Sequence, residues 1–487
     1  MRNVSVVMLA LAFTAACATN PATGKRQFNI VSEQQELAIG QESHAQIVEQ
    51  FGVYDEKPEL ARLVDDIGQK LAANSERPNL PWRFTVLDTP MINAMALPGG
   101  YIYITRGMLE QINAEDELAG VLGHEIAHVT ARHSAQQISR SQLAQLGMVI
   151  GAVAAGPQAT QAYGQLAQLG VSLLFQRYSR AHETEADLLG TGYLARAQFN
   201  PEGAERMLMA LQRLDRNDTS GLERYFQSHP DPAKRVQDVR KKTAELATAG
   251  APFPPPQREA YLRRLEGSIT GNSTENVVVR DRTVYDRGHG LILPMPAGWR
   301  GTVAPGMLFA MSPTGRNSNG AFYAQEVDTK DLQGMNARDA VRNRLQQMGL
   351  QYVGSRETSM ASGDRMPIDV WQGRTQEGVV GVETTQFLHG DHVAVFIFLA
   401  PNVSANESPL GEILRRASID TGRARAVQAP RMRIGTVRNG ESWADVAQRA
   451  TGNANDARAV ATMNGYAPET RPPAGLLVKL PEDVVRE

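Results

Sequence analysis

His124-Glu125-Ile126-Ala127-His128 sets two imidazoles four residues apart. On a helix, positions i and i+4 share a face one turn apart, so both rings can reach one cation. Glu125 stands beside them as a proton acceptor for a water at that ion. Two neutral imidazoles and a carboxylate make three tetrahedral ligands for zinc and leave a fourth position open. The chemistry is ion-assisted hydrolysis. The carboxylate must come from elsewhere in the chain. Arg180-Ala181-His182-Glu183-Thr184-Glu185-Ala186-Asp187 offers Glu183 and Asp187, again four apart. One of them ligates, and the other accepts the free N–H of a ligand imidazole. His229, in Ser228-His229-Pro230, is a further candidate. Over the open position it either donates to an oxyanion or binds the ion itself, displaces the water and keeps the site latent. A plain helix-capping turn is the bland alternative. His133, next to Arg132, reads as structural.

Several elements must position these groups. Ser32-Glu33-Gln34-Gln35 has capping-box spacing and opens a helix to about Gln50. Leu60, Leu63, Val64, Ile67 and Leu71 follow helical spacing over about 58–74. Trp82–Leu87 reads as a strand. Asn93–Met95, a Leu97-Pro98-Gly99-Gly100 turn and Tyr101–Thr105 read as a hairpin. Asn113, three residues before Asp116, is expected to cap the helix that carries the two histidines. Asn93, Ala94, Met95 and Ala96 are expected to form an exposed edge strand that an extended substrate joins through main-chain bonds. An ordinary core hairpin is the alternative. The apolar stretch Leu146–Gly156 is too short to span a membrane and reads as a buried helix or a loop near the site.

The chain has 487 residues, about three domains at roughly 150 residues each. Lys and Arg total 50 against 52 Asp and Glu, a net charge of −2. No basic excess exists to hold phosphate backbones, which argues against a nucleic-acid partner. A mean hydropathy of −0.33 excludes a polytopic membrane protein. One cysteine excludes an intrachain disulfide and a thiolate metal cluster, so a metal site must use His, Asp and Glu. That cysteine, Cys17, follows Met1-Arg2-Asn3, an apolar run over Val4–Ala16 and small residues, as in a secretory leader. The leader resembles a bacterial lipoprotein signal, in which the cysteine is lipidated. Thr14 stands where that pattern more often has Leu. Ala18 after the cysteine resembles the outer-membrane sorting class.

Asn93-Ala94-Met95-Ala96-Leu97-Pro98-Gly99-Gly100, Glu117 through His128, Tyr178-Ser179-Arg180, Glu183-Thr184-Glu185-Ala186-Asp187 and Ser228-His229-Pro230 follow one another in order. Together they resemble family forty-eight of the metallopeptidases, the HtpX, BepA and CAAX-prenyl-protease type, over about 32–245. The resemblance implies one zinc per chain, with His124, His128 and Glu183 as ligands. It implies Glu125 as general base and Asp187 as the carboxylate that orients a ligand imidazole. It implies a mainly helical zincin-type domain with a small hairpin sheet, and the chain is similar to the soluble periplasmic lipoprotein branch.

Ile434 to Pro481, with Gly440-Glu441-Ser442-Trp443, Asn464-Gly465 and Lys479-Leu480-Pro481, resembles a βααβ LysM module that binds peptidoglycan sugars. Glu441-Ser442 replaces the usual Asp-Thr. A LysM-shaped spacer without a glycan is the alternative. Proline-rich 251–256 breaks the chain. The expected map is a leader and lipidated Cys17 over 1–17, a tether over 18–31 and the peptidase over 32–250. A linker follows over 251–274, then an α/β domain of unknown role over 275–420. That domain contains a capped helix Asn336–Met348 and a hairpin around His389-Gly390-Asp391. A basic linker over 421–433 and the LysM-like module over 434–482 end the map. The whole is expected to be α+β. The expected function is a zinc endopeptidase, lipid-anchored at the outer membrane in the periplasm of a Gram-negative bacterium. Its substrates would be misfolded or stalled envelope proteins, with peptidoglycan as a further partner. The rival is a non-proteolytic assembly factor or chaperone with a latent zinc site.

Overall fold

A computed structural model describes residues 17–141, 178–215, 229, 232–249, 252–303, 309–313, 320–332, 334–375, 378–389, 392–400 and 408–484. The leader before Cys17, the 146–156 stretch, Ser228, Pro230 and the Gly390-Asp391 turn lie outside the described residues. The chain forms two compact units. One comprises Met1–Glu266 with Arg433–Leu480, and the other Gly267–Met432 with Pro481–Val485. Among the described residues no helix is long and apolar enough to cross a membrane.

The first unit opens with a hairpin of β1 (Cys17–Thr19) and β2 (Arg26–Phe28). Helix α1 (Glu33–Phe51) begins at the expected capping box, with Ser32 accepting from the Gln35 amide and Gln35 reaching back. Helix α2 (Pro58–Ala73) buries the apolar face expected from its spacing. Strands β3 (Arg83–Leu87), β4 (Ala94–Leu97) and β5 (Tyr101–Thr105) form a sheet in the order β3-β5-β4. β4 pairs antiparallel with β5, and β3 pairs parallel. The turn between β4 and β5 needs its glycines, since Gly99 and Gly100 have φ of 84° and 97°. β4 is an edge in the sheet order. Its side chains are buried, however, and so is Asn93, so the strand is not an exposed one.

Helix α3 (Arg106–Gln111) leads into α4 (Glu115–Thr130), which carries both candidate histidines. Every residue of α4 after Glu115 is buried. It is the central helix of the unit, flanked by α5 (Arg180–Arg196) and α6 (Glu202–Asp215). Small residues permit the approach. A Cβ on Gly203 would lie 2.1 Å from the Asp116 carbonyl oxygen, and one on Gly190 would lie 2.8 Å from the Gly123 carbonyl carbon. The start of α4 corrects one expectation. Its N-cap is Ala114, with no side-chain cap. Asn113 instead donates its backbone N–H to the Glu117 carboxylate at 2.8 Å. Helix α7 (Pro232–Ala249) completes the layer around α5 and α6.

The stretch expected to be a linker holds a further helix, α8 (Arg258–Leu265). Its Tyr261 is buried and donates its hydroxyl to the Leu109 carbonyl at 2.7 Å. Met432–Thr436, Trp443–Thr451, Ala457–Met463 and Leu477–Pro481, whose residues 433–480 belong to the first unit, run strand, helix, helix, strand, the expected βααβ order. The two strands share a sheet.

The second unit corrects the α/β expectation for the middle of the chain. Its seven-stranded and four-stranded sheets pair antiparallel wherever the register is described. Strands such as Gly378–His389 and His392–Ala400 follow each other too closely for a crossover helix, so they turn back as hairpins. Helix Ala337–Gln347 is capped by Asn336 as expected.

Candidate metal centre

Three helices and His229 deliver the site. Residues His124 and His128 project from one face of α4, and Glu183 and Asp187 from one face of α5. His124 Nε2 lies 3.0 Å from His128 Nε2 and 3.3 Å from His229 Nδ1. Nδ1 of His229 is 3.1 and 3.2 Å from the two Glu183 oxygens. Glu183 Oε1 is 3.4 Å from His128 Nε2, and Oε2 is 3.7 Å from His124 Nε2. All four side chains are buried, and their ligand atoms lie within 4.8 Å of one another.

The donor set fits a tetrahedral cation. Ligand atoms at about 2.0–2.1 Å from zinc stand roughly 3.3 Å apart, close to the observed spacings. Tautomers give the same answer. The Nδ1 of His124 is 2.9 Å from a carboxylate oxygen of Asp187, so it carries the proton. In the neutral ring, Nε2 then presents a lone pair, and it faces the Nε2 of His128. Burial pushes His128 well below its ordinary pKa, which keeps that ring neutral. Converging lone pairs beside an ionised carboxylate call for a cation.

The surrounding groups hold the centre in place. Asp187 bonds His124 on one side and accepts two bonds from Arg235, at 2.7 and 2.8 Å, on the other. Another nitrogen of Arg235 is 2.7 Å from Glu183. Burial opposes charge on Glu183, but His229 and Arg235 hold its carboxyl well below the usual range. Asp187 is likewise lowered, with Arg235 outweighing burial. Burial works against a charged His229, yet the Glu183 carboxylate raises its pKa overall, a sign of negative potential at the centre. The other face of His128 meets His133, with Nδ1 atoms 3.0 Å apart, and His133 reaches Glu185 at 3.0 Å. Tyr178 stacks on His128 with centroids 3.9 Å apart. Glu125 is buried, and burial raises its pKa. Among the described residues its Oε2 has no hydrogen-bond partner, and its Oε1 lies 3.8 Å from His229 Nε2. That leaves a carboxylate oxygen beside the donor set to accept from a water.

The structure brings together His124, Glu125, His128, Glu183, Asp187 and His229. Ala94, Met95 and Ala96 are placed on the edge strand β4, Asn93 directly precedes it, and Cys17 lies in β1. Arg235 was not legible as a site residue, since one arginine on a helix 48 positions beyond Asp187 gives no spacing signal. His133, read as structural, reaches the candidate ligand His128 directly, with Nδ1 atoms 3.0 Å apart.

Comparison with known proteins agrees with this geometry. Residues 58–243 match the model of peptidase family M48. The chain is 29% identical over 224 residues to the mitochondrial metalloendopeptidase OMA1 of Schizosaccharomyces pombe, covering 45% of this chain and 65% of that protein. It is 31% identical over 216 residues to the beta-barrel assembly-enhancing protease of Yersinia pestis, covering 43% of each. The protein of that name in Escherichia coli K12 is 27% identical over 252 residues, covering 50% of this chain and 51% of the other. The matches thus span about two-fifths to two-thirds of these relatives' lengths. Through residues 58–243, the chain carries a peptidase domain of family M48.

Proposed function

We propose that this chain is a zinc-dependent endopeptidase of the bacterial envelope, with His124, His128 and Glu183 holding one zinc ion. The convergence of two imidazoles from α4 and a carboxylate from α5 carries the reading. When bound, zinc supplies Lewis acidity, lowering the pKa of water toward about 7 and polarising the scissile carbonyl. Glu125 takes the proton of the attacking water and passes it to the leaving amine. Asp187, fixed by Arg235, holds His124 in the tautomer that ligates.

The name of the bacterial relatives, beta-barrel assembly-enhancing protease, supports misfolded or stalled envelope proteins as substrates. The leader and Cys17 support a lipid anchor, on the outer membrane in the periplasm of a Gram-negative cell. The βααβ order of the last module supports a LysM-like unit that contacts peptidoglycan.

One observation favours a restrained enzyme. His229 Nδ1 stands within ligand distance of the other donors. In this reading His229 is a fourth ligand that keeps the site latent until it swings away. His229→Ala then cleaves casein faster than the parent. Loss of cleavage in that variant would instead assign His229 to the oxyanion.

The test is casein cleavage with and without a chelator. Cleavage is expected to stop with chelator, return with zinc, and fall about 10²–10⁴-fold in Glu125→Gln. A Glu125→Gln protein that cleaves at the parental rate contradicts the mechanism. Zinc binding without cleavage in any variant, His229→Ala included, supports the assembly-factor alternative.

A further inference from the structure

Behind α5, on the face turned away from Glu183 and Asp187, lies a cavity of about 710 Å³. Its size is that of a ligand site, roughly 300–1,000 Å³. The walls come from three places in the first unit: the turn between β1 and β2, the first turns of α5, and the start of α7. Lys25, Arg180 and Lys234 line it, all three are exposed, and none has an ion-pair partner among the described residues. Arg140 adds positive potential at His182. The acidic group of the wall, Glu185, is engaged by His133 at 3.0 Å. Arg235, also on the wall, is taken by Asp187 and Glu183.

Two side chains of this wall each hold a buried atom with no hydrogen-bond partner among the described residues, Thr23 Oγ1 and His182 Nδ1. His182 is itself only 8% exposed. Its ring stacks on His133 at 4.3 Å, which fixes its direction. A buried donor left without a partner is costly unless a ligand or water satisfies it. The cavity also faces the N-terminal turn of α5, a 17-residue helix whose positive end favours an anion. Three exposed cations and a helix N-terminus therefore border one space.

We propose that this cavity binds a phosphate group, and that its source is the headgroup of an anionic membrane lipid. Leu188 and Leu189 add apolar wall beside the cations, as a lipid would require and free phosphate would not. The wall residues Thr23 and Lys25 belong to the hairpin that begins at Cys17. The choice of lipid over free phosphate therefore rests on the anchor reading, which sets this hairpin at the bilayer surface. The phosphate site itself does not depend on that reading.

The test uses the full chain carrying Cys17→Ser, which removes the acylation site, and the same chain carrying K25Q, R180Q and K234Q together. All three positions are exposed, so folding is unaffected, as an unchanged melting temperature verifies. Flotation is measured with vesicles of pure phosphatidylcholine and with vesicles containing phosphatidylglycerol. Inorganic phosphate binding is measured by calorimetry. The Cys17→Ser chain is expected to bind phosphatidylglycerol vesicles and not phosphatidylcholine, with inorganic phosphate competing. The triple variant is expected to bind about 100-fold more weakly, at roughly one kcal/mol for each basic residue. Inorganic phosphate binding without vesicle binding keeps the site and assigns it to free phosphate. The proposal is overturned if neither probe binds, or if the triple variant binds as well as its parent. Casein cleavage by the unsubstituted chain is read separately, so failure here leaves the protease assignment standing.

Discussion

At the scale of single residues, the account depends on second partners as much as on ligands. In the proposed centre His124 would ligate with one nitrogen while Asp187 holds the other, and Asp187 is held in turn by Arg235. Asp187→Asn should lower zinc affinity about 10–100-fold, the usual effect of losing such an orienting carboxylate. Competition with a chromophoric chelator reads that directly, and unchanged affinity would remove Asp187 from the scheme. The sequence already displayed the candidate ligands, because an i, i+4 pair of histidines and an i, i+4 pair of carboxylates each mark one helix face. Arg235 and Tyr178 were not legible in that way. Their roles arise where α7 and Tyr178, two residues before α5, come against the centre, and no local spacing records that approach.

At the scale of elements, helix and strand positions followed closely from periodicity and capping. The box at Ser32 and the cap at Asn336 form as read. The start of α4 did not, because the buried Glu117 carboxylate is claimed by the Asn113 backbone and Ala114 takes the cap position. Packing distances between helices were also hidden. α6 touches α4 through Gly203, where a Cβ would meet the Asp116 carbonyl oxygen at 2.1 Å. Gly203→Ala must push the two helices apart and should cost about 1–3 kcal/mol. A chemical-denaturation midpoint equal to the parent's would contradict this close contact.

At the scale of the molecule, the division of the chain departs from a string of separate domains. Residues 433–480 pack in the unit that contains α4. Lys479 is fully buried there, and its amine donates to the carbonyls of Glu110 at 2.7 Å and Ile112 at 2.9 Å. Those carbonyls lie just before the helix of the metal centre. Sequence gave no sign of this, since a buried lysine and a solvated one are written alike. Lys479→Ala leaves both carbonyls unpaired and should destabilise the unit by about 3 kcal/mol. A calorimetric scan in which no transition moves would rule that out.

The second unit has its own acid sensitivity. Burial opposes ionisation of Asp369, but bonds from Arg338 at 2.6 and 3.0 Å and from Arg342 at 2.8 Å hold its pKa down at about 2. The unfolded chain titrates this group near about 3.9. The folded value is the lower one, so its contribution is complete above about pH 4 and is lost as pH falls toward about 2. In Asp369→Asn the melting temperature should vary less between those pH values than in the parent. An identical acid profile would contradict the assignment.

The most direct test of the whole is a zinc titration of the parent, Glu125→Gln and Glu183→Gln. The account predicts one tight zinc per chain in the first two and a loss of about 100-fold or more in affinity for Glu183→Gln, since a ligand is removed. Parental affinity in Glu183→Gln would show that the carboxylate of α5 does not bind the ion, and the proposed centre would be wrong.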